Sequence, residues 1–379
     1  MPDLAPDPNP HAHLAAALAL SNPLNTPSLH LDGLDPAMIL RRSYHLGTTP
    51  AVAHHLQTLG LGAALTDQDW DHHNATLAQN MMALYAADLA SHALEGAGLR
   101  CAPLKGYAFL LDLYPAHVGL RRMWDVDLLI DDSTFVRAEA ALTEAGFTRR
   151  LEAPVTGRLN IEALFVLGDA EAGPTLEVHR RLCFPGRFNI SPHELWRAAR
   201  PADAPPSWRL DPVHALLHLA VHKAQHGYLN DSRDLVDALN ITRRVPIDWQ
   251  RLADAARRWG CKAAAWLFLT RCRRALGMAA PDALLAALAP SSARQRLLDD
   301  AMPDATRSPH FLQRRNNRRP LVPKALAGLA AADNPAQEAG AFALIALRSA
   351  ADRLAASLPD KDLRWIDRIP LTPPAPETP

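Results

Sequence analysis

Apolar residues in the first hundred positions recur at helical spacing. From about residue 35 to Gly98 they repeat about every three to four positions, which is typical of helices with one buried face. The clearest stretch runs from Asn74 to Gly96. Apolar runs over residues 107–113 and 135–145 predict two further helices.

Three short segments show the apolar runs or the alternation of strands. They are the segment that ends before Lys105, the segment Trp124–Ile130 and the segment Pro174–His179. Strand and helix alternate along this part of the chain, as in a domain whose helices cover a sheet. The pattern predicts a small mixed sheet flanked by helices.

Strand signals stop after the run Pro201–Pro206, whose prolines favour a linker. Beyond it, Asp211 as N-cap and Pro212 as the first helical residue open a helix that Gly227 can close. The spacing predicts further helices near residues 231–243, 248–259, 261–276, 281–289 and 337–357.

These patterns divide the chain into four parts. Residues 1–34 are rich in Pro, Asn, His and Ala and predict a flexible N-terminal arm. Residues 35–200 form the α/β domain with its N-terminal helices, and residues 207–369 form an all-α domain. Residues 370–379 carry several prolines and predict a disordered tail.

Composition narrows the class of protein. The chain has 379 residues, with 40 basic and 40 acidic side chains, so no net field attracts a polynucleotide and a nucleic-acid partner is not expected. The four cysteines lack C-x-x-C spacing, which favours reduced structural thiols. The apolar run Leu14–Leu20 is too short to cross a membrane. We therefore expect a cytoplasmic protein without a membrane anchor.

Two carboxylates stand one residue apart in a segment that otherwise predicts a buried strand. Alternation places Asp125 and Asp127 on one face, roughly 6.5–7 Å apart along the strand. A buried, unpaired carboxylate is costly, so a cation is one explanation, and Mg²⁺ is commonly bound through one or two protein carboxylates and substrate phosphates. An edge strand with a solvated polar face is the alternative.

Flanking residues favour the metal interpretation. Lys105 and Gly106 precede the helix 107–113, where a lysine and a close backbone approach can serve a phosphate, although a solvated lysine at a turn also fits. Glu177 and His179 share one face of a later strand. If that strand lies beside the Asp strand, Glu177 supplies a third carboxylate and the three can hold two metal ions. His179 can orient a carboxylate, meet substrate or simply pack.

These motifs together resemble an uncharacterised bacterial nucleotidyltransferase family within the DNA polymerase β-like superfamily. The resemblance covers roughly residues 75–245. It is carried by the segments Leu104–Gly106, Tyr114–Pro115, Arg121–Ile130, Leu176–His179, Leu216–His222 and Arg233–Leu239.

The resemblance implies an α+β fold, with a polymerase β-like domain followed by an all-α domain. It implies transfer of a nucleoside monophosphate from an NTP, with ATP expected, to a hydroxyl of a small molecule or peptide. Mg²⁺ or Mn²⁺ is then held by Asp125, Asp127 and Glu177, while Lys105 and Gly106 bind the triphosphate.

Two positions depart from the family pattern. Tyr107 stands where the wider superfamily has a second small residue, and Trp124 stands where this family commonly has glycine. Both put bulk near the expected phosphate site. They favour the alternative that the fold binds a nucleotide or a partner protein without catalysis.

Further charged and imidazole side chains have open interpretations. Arg121 can clamp a triphosphate or form a surface salt bridge. A helical row of histidines can bind metal, line a cleft through His218 or His222, or be ordinary; its members are His214, His218, His222 and His226. Asp237 is expected to pair with Arg233 on a helix surface. The basic run Arg314–Arg319 is usually a solvated loop, or it can hold a polyanion.

Overall fold

A computed structural model describes residues 7–25, 31–150, 161–168, 173–184, 186–226, 232–301 and 328–357. The architecture is α+β, with a five-stranded mixed sheet, helices packed on it and a larger helical part after it in the chain. This confirms the fold class predicted from the pattern and the resemblance. The Arg314–Arg319 run, Gly227 and the tail 370–379 lie outside the described residues.

The sheet brings together strands that are distant in sequence. Its spatial order is β1-β2-β5-β4-β3, and β2 and β5 are parallel while the other neighbouring pairs are antiparallel. All five residues of β2 are buried, as expected for a strand covered on both faces. The strands are β1 (Cys101–Pro103), β2 (Val126–Ile130), β3 (Phe147–Arg150), β4 (Glu162–Leu167) and β5 (Thr175–His179).

The sequence predicts β1, β2 and β5 but not β3 and β4. β3 has the sequence Phe-Thr-Arg-Arg, of which only Phe147 is buried, so its own pattern carries little strand signal. It is recognised as a strand only through its antiparallel pairing with β4. Tertiary pairing, more than local propensity, defines this edge of the sheet.

The helices before and around the sheet are mostly those that the spacing predicts. α4 starts seven residues earlier than the predicted Asn74 and is opened by a capping box between Thr66 and Asp69. α5 packs on β1 and β2. The elements are α1 (Pro10–Ala19), α2 (Pro36–Leu46), α3 (Thr49–Thr58), α4 (Asp67–Gly96), α5 (Lys105–Asp112) and α6 (Phe135–Glu144).

The predicted flexible arm is wrong for residues 7–25. α1 buries Leu14, Ala17 and Leu18 in a small hydrophobic cluster that it shares with α2 and α3. Burial of these apolar side chains offsets the entropy of ordering the segment. The N-terminal segment is therefore part of the folded body.

The second half of the described chain is helical, as predicted. Asp211 caps α8 by accepting a hydrogen bond from the backbone N–H of Val213, and Pro212 is its first residue. α13 is a helix that the pattern does not predict. The elements are α7 (Pro192–Ala198), α8 (Pro212–Gln225), α9 (Arg233–Arg244), α10 (Trp249–Trp259), α11 (Lys262–Leu276), α12 (Asp282–Leu288), α13 (Ser292–Ala301) and α14 (Pro335–Ser357).

The expected linker at Pro201–Pro206 is instead part of a small ribbon. β6 (Arg200–Pro201) and β7 (Trp208–Arg209) pair in antiparallel fashion, and β7 packs beside β1. One hydrophobic cluster runs without a break from the sheet into the helices on the other side of this ribbon. The two predicted parts thus share a core. No helix in the described ranges combines the length and apolar character that a membrane span requires.

Candidate active site

The register of the two parallel strands places the predicted acids side by side. Asp127 of β2 lies opposite Glu177 of β5, which confirms the predicted neighbourhood of the two strands. A carboxylate oxygen of each and one ring nitrogen of His179 lie within 4.8 Å of one another. Asp127 is 1% exposed, so its charge must be balanced within the protein.

His179 connects the acids of three strands. Its Nε2 lies 2.7 Å from Asp127 Oδ1 and 3.6 Å from Glu177 Oε2, and its Nδ1 lies 3.3 Å from Glu162 Oε2 without hydrogen-bonding geometry. Burial lowers the pKa of the imidazole, but the hydrogen bonds to Asp127 and Glu177 outweigh it and raise the pKa to about 9. The ring is therefore a cation at neutral pH.

Lys105 is the second cation of the cluster. Its Nζ lies 2.5 Å from Asp127 Oδ1, and although burial opposes the charge, Asp127 and Asp125 hold the pKa of the ammonium above its ordinary value. Its backbone φ of 43° lies in the left-handed region, which residues other than glycine rarely adopt. A hydrogen bond from Leu104 N to Asp127 O ties this turn to β2. Such strained turns cluster at functional sites.

Gly106 is required by packing under this turn. A Cβ on Gly106 would lie 2.6 Å from Arg121 Nη1 and 3.1 Å from Met123 Cγ. The sequence predicts that a phosphate comes close to the backbone at Gly106. On this side of the glycine, the group in close contact is instead the Arg121 guanidinium.

Arg121 is placed in the core and away from the acidic cluster. It is 6% exposed, and its Nη2 and Nε donate to the two carboxylate oxygens of Asp237 at 2.6 and 3.3 Å. Asp237 is fully buried and does not form the predicted surface pair with Arg233. Arg121 is thus a buried structural cation, and the expectations of an exposed phosphate clamp or a surface salt bridge are both wrong. The pairing partner is 116 residues away in sequence, so no local pattern reveals it.

Two further acids stand around this centre. Asp125 precedes β2 by one residue, is half-buried and lies outside the closest group of ligand atoms. Burial and the charge of Asp127 raise the pKa of Asp125 to about 6. Glu162, whose pKa is raised mainly by burial, lies opposite His179 in the sheet register. Sequence reasoning misses Glu162 because it misses β4.

A model of the uncharacterised nucleotidyltransferase family matches residues 32–277, well over half of the chain. The chain belongs to this family. No curated protein and no solved structure matches it. The match confirms the resemblance seen in the sequence and extends it to α2 at one end and α11 at the other.

Members of a nucleotidyltransferase family generally use a divalent metal, and the residues of this chain fit one. Four carboxylates surround two cations, Lys105 and His179, so the cluster carries excess negative charge in a buried place; the acids are Asp125, Asp127, Glu162 and Glu177. Carboxylate oxygens suit Mg²⁺ and Mn²⁺, and the protonated His179 can add a ring nitrogen to the donor set only after it loses a proton.

The histidines of the row on α8 have different surroundings. His214 stacks on Trp259, with ring centroids 5.2 Å apart, and serves packing. Burial and the nearby charge of Lys105 lower the pKa values of His218, to about 3, and of His222. Both are neutral imidazoles beside the Lys105 turn. Among the described residues, the row does not provide three ligand atoms for a metal.

The two bulky departures from the family pattern point away from the acidic cluster. Tyr107 is 2% exposed and belongs to the hydrophobic core, where burial raises the pKa of its hydroxyl to about 12. Trp124 is half exposed, and the Arg122 guanidinium lies 3.4 Å from its ring centroid. The two large side chains that the sequence predicts near a phosphate therefore do not crowd the acidic cluster.

Proposed function

We propose that this protein is a metal-dependent nucleotidyltransferase that moves a nucleoside monophosphate from an NTP, with ATP expected, to an acceptor hydroxyl on a small molecule or peptide. The observation that carries the proposal is the register of Asp127 and Glu177 on adjacent parallel strands beside the Lys105 turn. Membership in a nucleotidyltransferase family supports the reaction class.

Asp127, Glu177 and Asp125 are the proposed holders of Mg²⁺ or Mn²⁺, as the sequence suggests, and the protonated His179 is the proposed support of Asp127. The metal, when bound, neutralises phosphate charge and orients the reacting oxygens. His179 fixes the rotamer of Asp127 through the 2.7 Å hydrogen bond.

Lys105 and the backbone at Gly106 are the proposed contacts to the triphosphate. The ammonium already lies in the cluster and keeps its proton, so it can exchange part of its contact with Asp127 for a phosphate oxygen. Glu177 is less buried than Asp127 and is the proposed acceptor of the proton from the substrate hydroxyl when it is not fully engaged with metal. His218 and His222 are the proposed neutral groups of the cleft, and His218 lines the cavity beside Lys105.

A screen with labelled NTPs tests the reaction. The purified protein is incubated with a small-molecule and peptide extract and Mg²⁺ or Mn²⁺, and labelled products and pyrophosphate are measured. We expect a labelled product with the wild type and none with Asp125→Asn or Glu177→Gln. The matched control is Asp254→Asn, because Asp254 is exposed on α10 and far from the cluster in the fold. Full turnover by both site variants would refute the assignment.

Calorimetry separates this proposal from the non-catalytic alternative. A pseudoenzyme of the same fold would bind the metal and NTP but release no pyrophosphate with any acceptor.

We expect the reaction in the cytoplasm. A nucleic-acid acceptor is not expected, because equal numbers of acidic and basic residues give no net attraction for a polyanion.

A further inference from the structure

A cavity of about 380 Å³ lies on the side of α5 that faces the ribbon and the helices α8 and α9. Its walls are mainly aliphatic, with Leu104, Leu111 and Ile241 among them. Cavities of this size hold small organic molecules, and an apolar wall favours an apolar body. The acidic cluster makes no use of this space.

The inner end of the cavity adjoins the proposed active site. Lys105 and His218 both line it. Lys105 contacts Asp127 directly, and His218 is close enough for the charges of Lys105 and His179 to affect its pKa. A molecule in the cavity can therefore extend one end toward the acidic cluster.

The outer end is rimmed by three arginines, Arg200, Arg209 and Arg244. Arg200 and Arg209 are cross-strand partners in the ribbon, so two like charges stand directly opposite each other, an arrangement that destabilises a strand pair. Among the described residues that line the cavity, Asp112 is the one acid, and it binds Arg209 at 3.0 Å. The rim keeps an excess of positive charge.

We propose that this cavity is the acceptor site, and that the acceptor is an amphipathic molecule with an apolar body and an anionic group, a carboxylate or a phosphate. The anionic group lies at the arginine rim, the apolar body lies against the aliphatic wall, and the hydroxyl end reaches past Lys105 and His218. The inference rests on the proposed function, because it names the substrate class of the same site.

The composition of the wall favours the acceptor over the nucleotide as occupant. A nucleobase is read through hydrogen bonds along its edge, whereas no amide or hydroxyl side chain is among the described residues that line this cavity. Paired guanidinium groups instead match a terminal carboxylate or phosphate.

The full chain can be tested with two fluorescent probes that share one ring system. Anilinonaphthalene sulfonate is anionic, and phenylnaphthylamine lacks the sulfonate. We expect one anionic probe per chain, bound about tenfold more tightly than the neutral probe. Arg244→Ala should lower the affinity for the anionic probe about three- to tenfold and leave the affinity for the neutral probe unchanged.

Two variants make the test specific to the cavity. The matched control is Arg243→Ala, on the same exposed helix end, because Arg243 bonds Asn25 and does not line the cavity. It should leave both probes unaffected. Ala215→Trp, which fills the cavity from α8, should abolish binding of both probes while circular dichroism stays unchanged.

Three outcomes would overturn the acceptor assignment. The first is equal affinity for the two probes, and the second is an Arg244→Ala variant that binds both probes like the wild type. The third is competitive displacement of the anionic probe by Mg·ATP, which would show that the nucleotide binds in the cavity. Failure of the proposed function looks different. The probes would behave as expected, but no labelled nucleotide would be transferred by the wild type with any acceptor.

Discussion

Two buried aspartates of this protein, Asp127 and Asp237, look alike when each is described by its nearest cation. Asp127 is 1% exposed and lies 2.5 Å from Lys105 Nζ, and Asp237 is fully buried and lies 2.6 Å from Arg121 Nη2. Each pair joins residues far apart in sequence. The two ion pairs differ, however, in the charges of the side chains around them.

The side chains that hydrogen-bond to Asp237 are donors, and the nearby acid Asp234 is paired with Lys223 at 3.1 Å. Tyr114 donates its hydroxyl hydrogen to Asp237 Oδ1 at 2.9 Å, and Asn240 donates to the Tyr114 oxygen. Asn240 and Asn22 then exchange two hydrogen bonds at 2.8 and 2.9 Å. This network is closed, since each of its groups has a partner inside the protein.

Around Asp127 the neighbours include three more acids. Burial alone would raise the pKa of Asp127, but Lys105 and His179 hold it below its usual range. The other acids, Asp125, Glu162 and Glu177, lie close enough to interact with the same two cations. The comparison teaches that a buried ion pair indicates binding chemistry only when the charges around it do not balance.

The largest expected effect is on catalysis at Asp127. Asp127→Asn should lower nucleotide transfer about a thousandfold or more, because it removes the charge that holds both the metal and Lys105. Initial rates with a labelled NTP measure this. Retention of more than a tenth of the activity would show that Asp127 is no more essential than Asp237.

The second prediction concerns stability at Asp237. Asp237→Asn should lower the free energy of unfolding by about 3–5 kcal/mol, because it leaves the Arg121 charge buried without compensation. Urea denaturation measures the change. The double variant Arg121→Met, Asp237→Leu should recover much of the loss, since no charge is then buried. A double variant as unstable as the single one would show that the pair does more than neutralise itself.

The third prediction contrasts the two regions by adding metal. Saturating Mn²⁺ or Mg²⁺ should stabilise the wild type, by ~2.7 kcal/mol at a free concentration about one hundred times Kd. Asp237→Asn should show the same metal-dependent rise in Tm from its lower starting point, whereas Asp127→Asn should show none. Equal shifts in both variants would place the metal elsewhere.

The smallest expected effect is at the glycine between the two regions. Gly106→Ala drives a methyl group against the Arg121 guanidinium, and we expect a loss of about 1–3 kcal/mol in unfolding free energy. Gly96→Ala at the end of α4 is the matched control, because its Cβ would meet nothing within 4 Å. If both variants were equally stable, Arg121 would have room to move.

The sequence predicts most of the helices and the two strands that carry the acidic cluster because these elements depend on local periodicity. Alternation in Pro174–His179 places Glu177 and His179 on one face, and only a single assumption, that β5 lies beside β2, is needed to bring them to Asp127. That assumption is correct here. The roles of these residues in catalysis stay predictions.

The sequence cannot predict contacts that exist only in the assembled fold. Glu162 comes from a strand that tertiary pairing defines, and the partner of Arg121 lies on α9, 116 residues further along the chain. The composition of the N-terminal segment, rich in Pro, Asn, His and Ala, predicts an arm, yet α1 buries its apolar residues against α2 and α3. In each case the deciding contact is made with another element of the fold, which the local pattern does not identify.

The reciprocal hydrogen bonds of Asn22 have a practical consequence for anyone who expresses this protein. The family match starts at residue 32, and that position invites a shortened clone that begins there. Such a truncation would delete α1 and both hydrogen bonds between Asn22 and Asn240. Asn240 donates to Tyr114, and this contact continues through Asp237 to Arg121, which lies against Gly106. An inactive product from that clone would reflect the missing segment and say little about the chemistry.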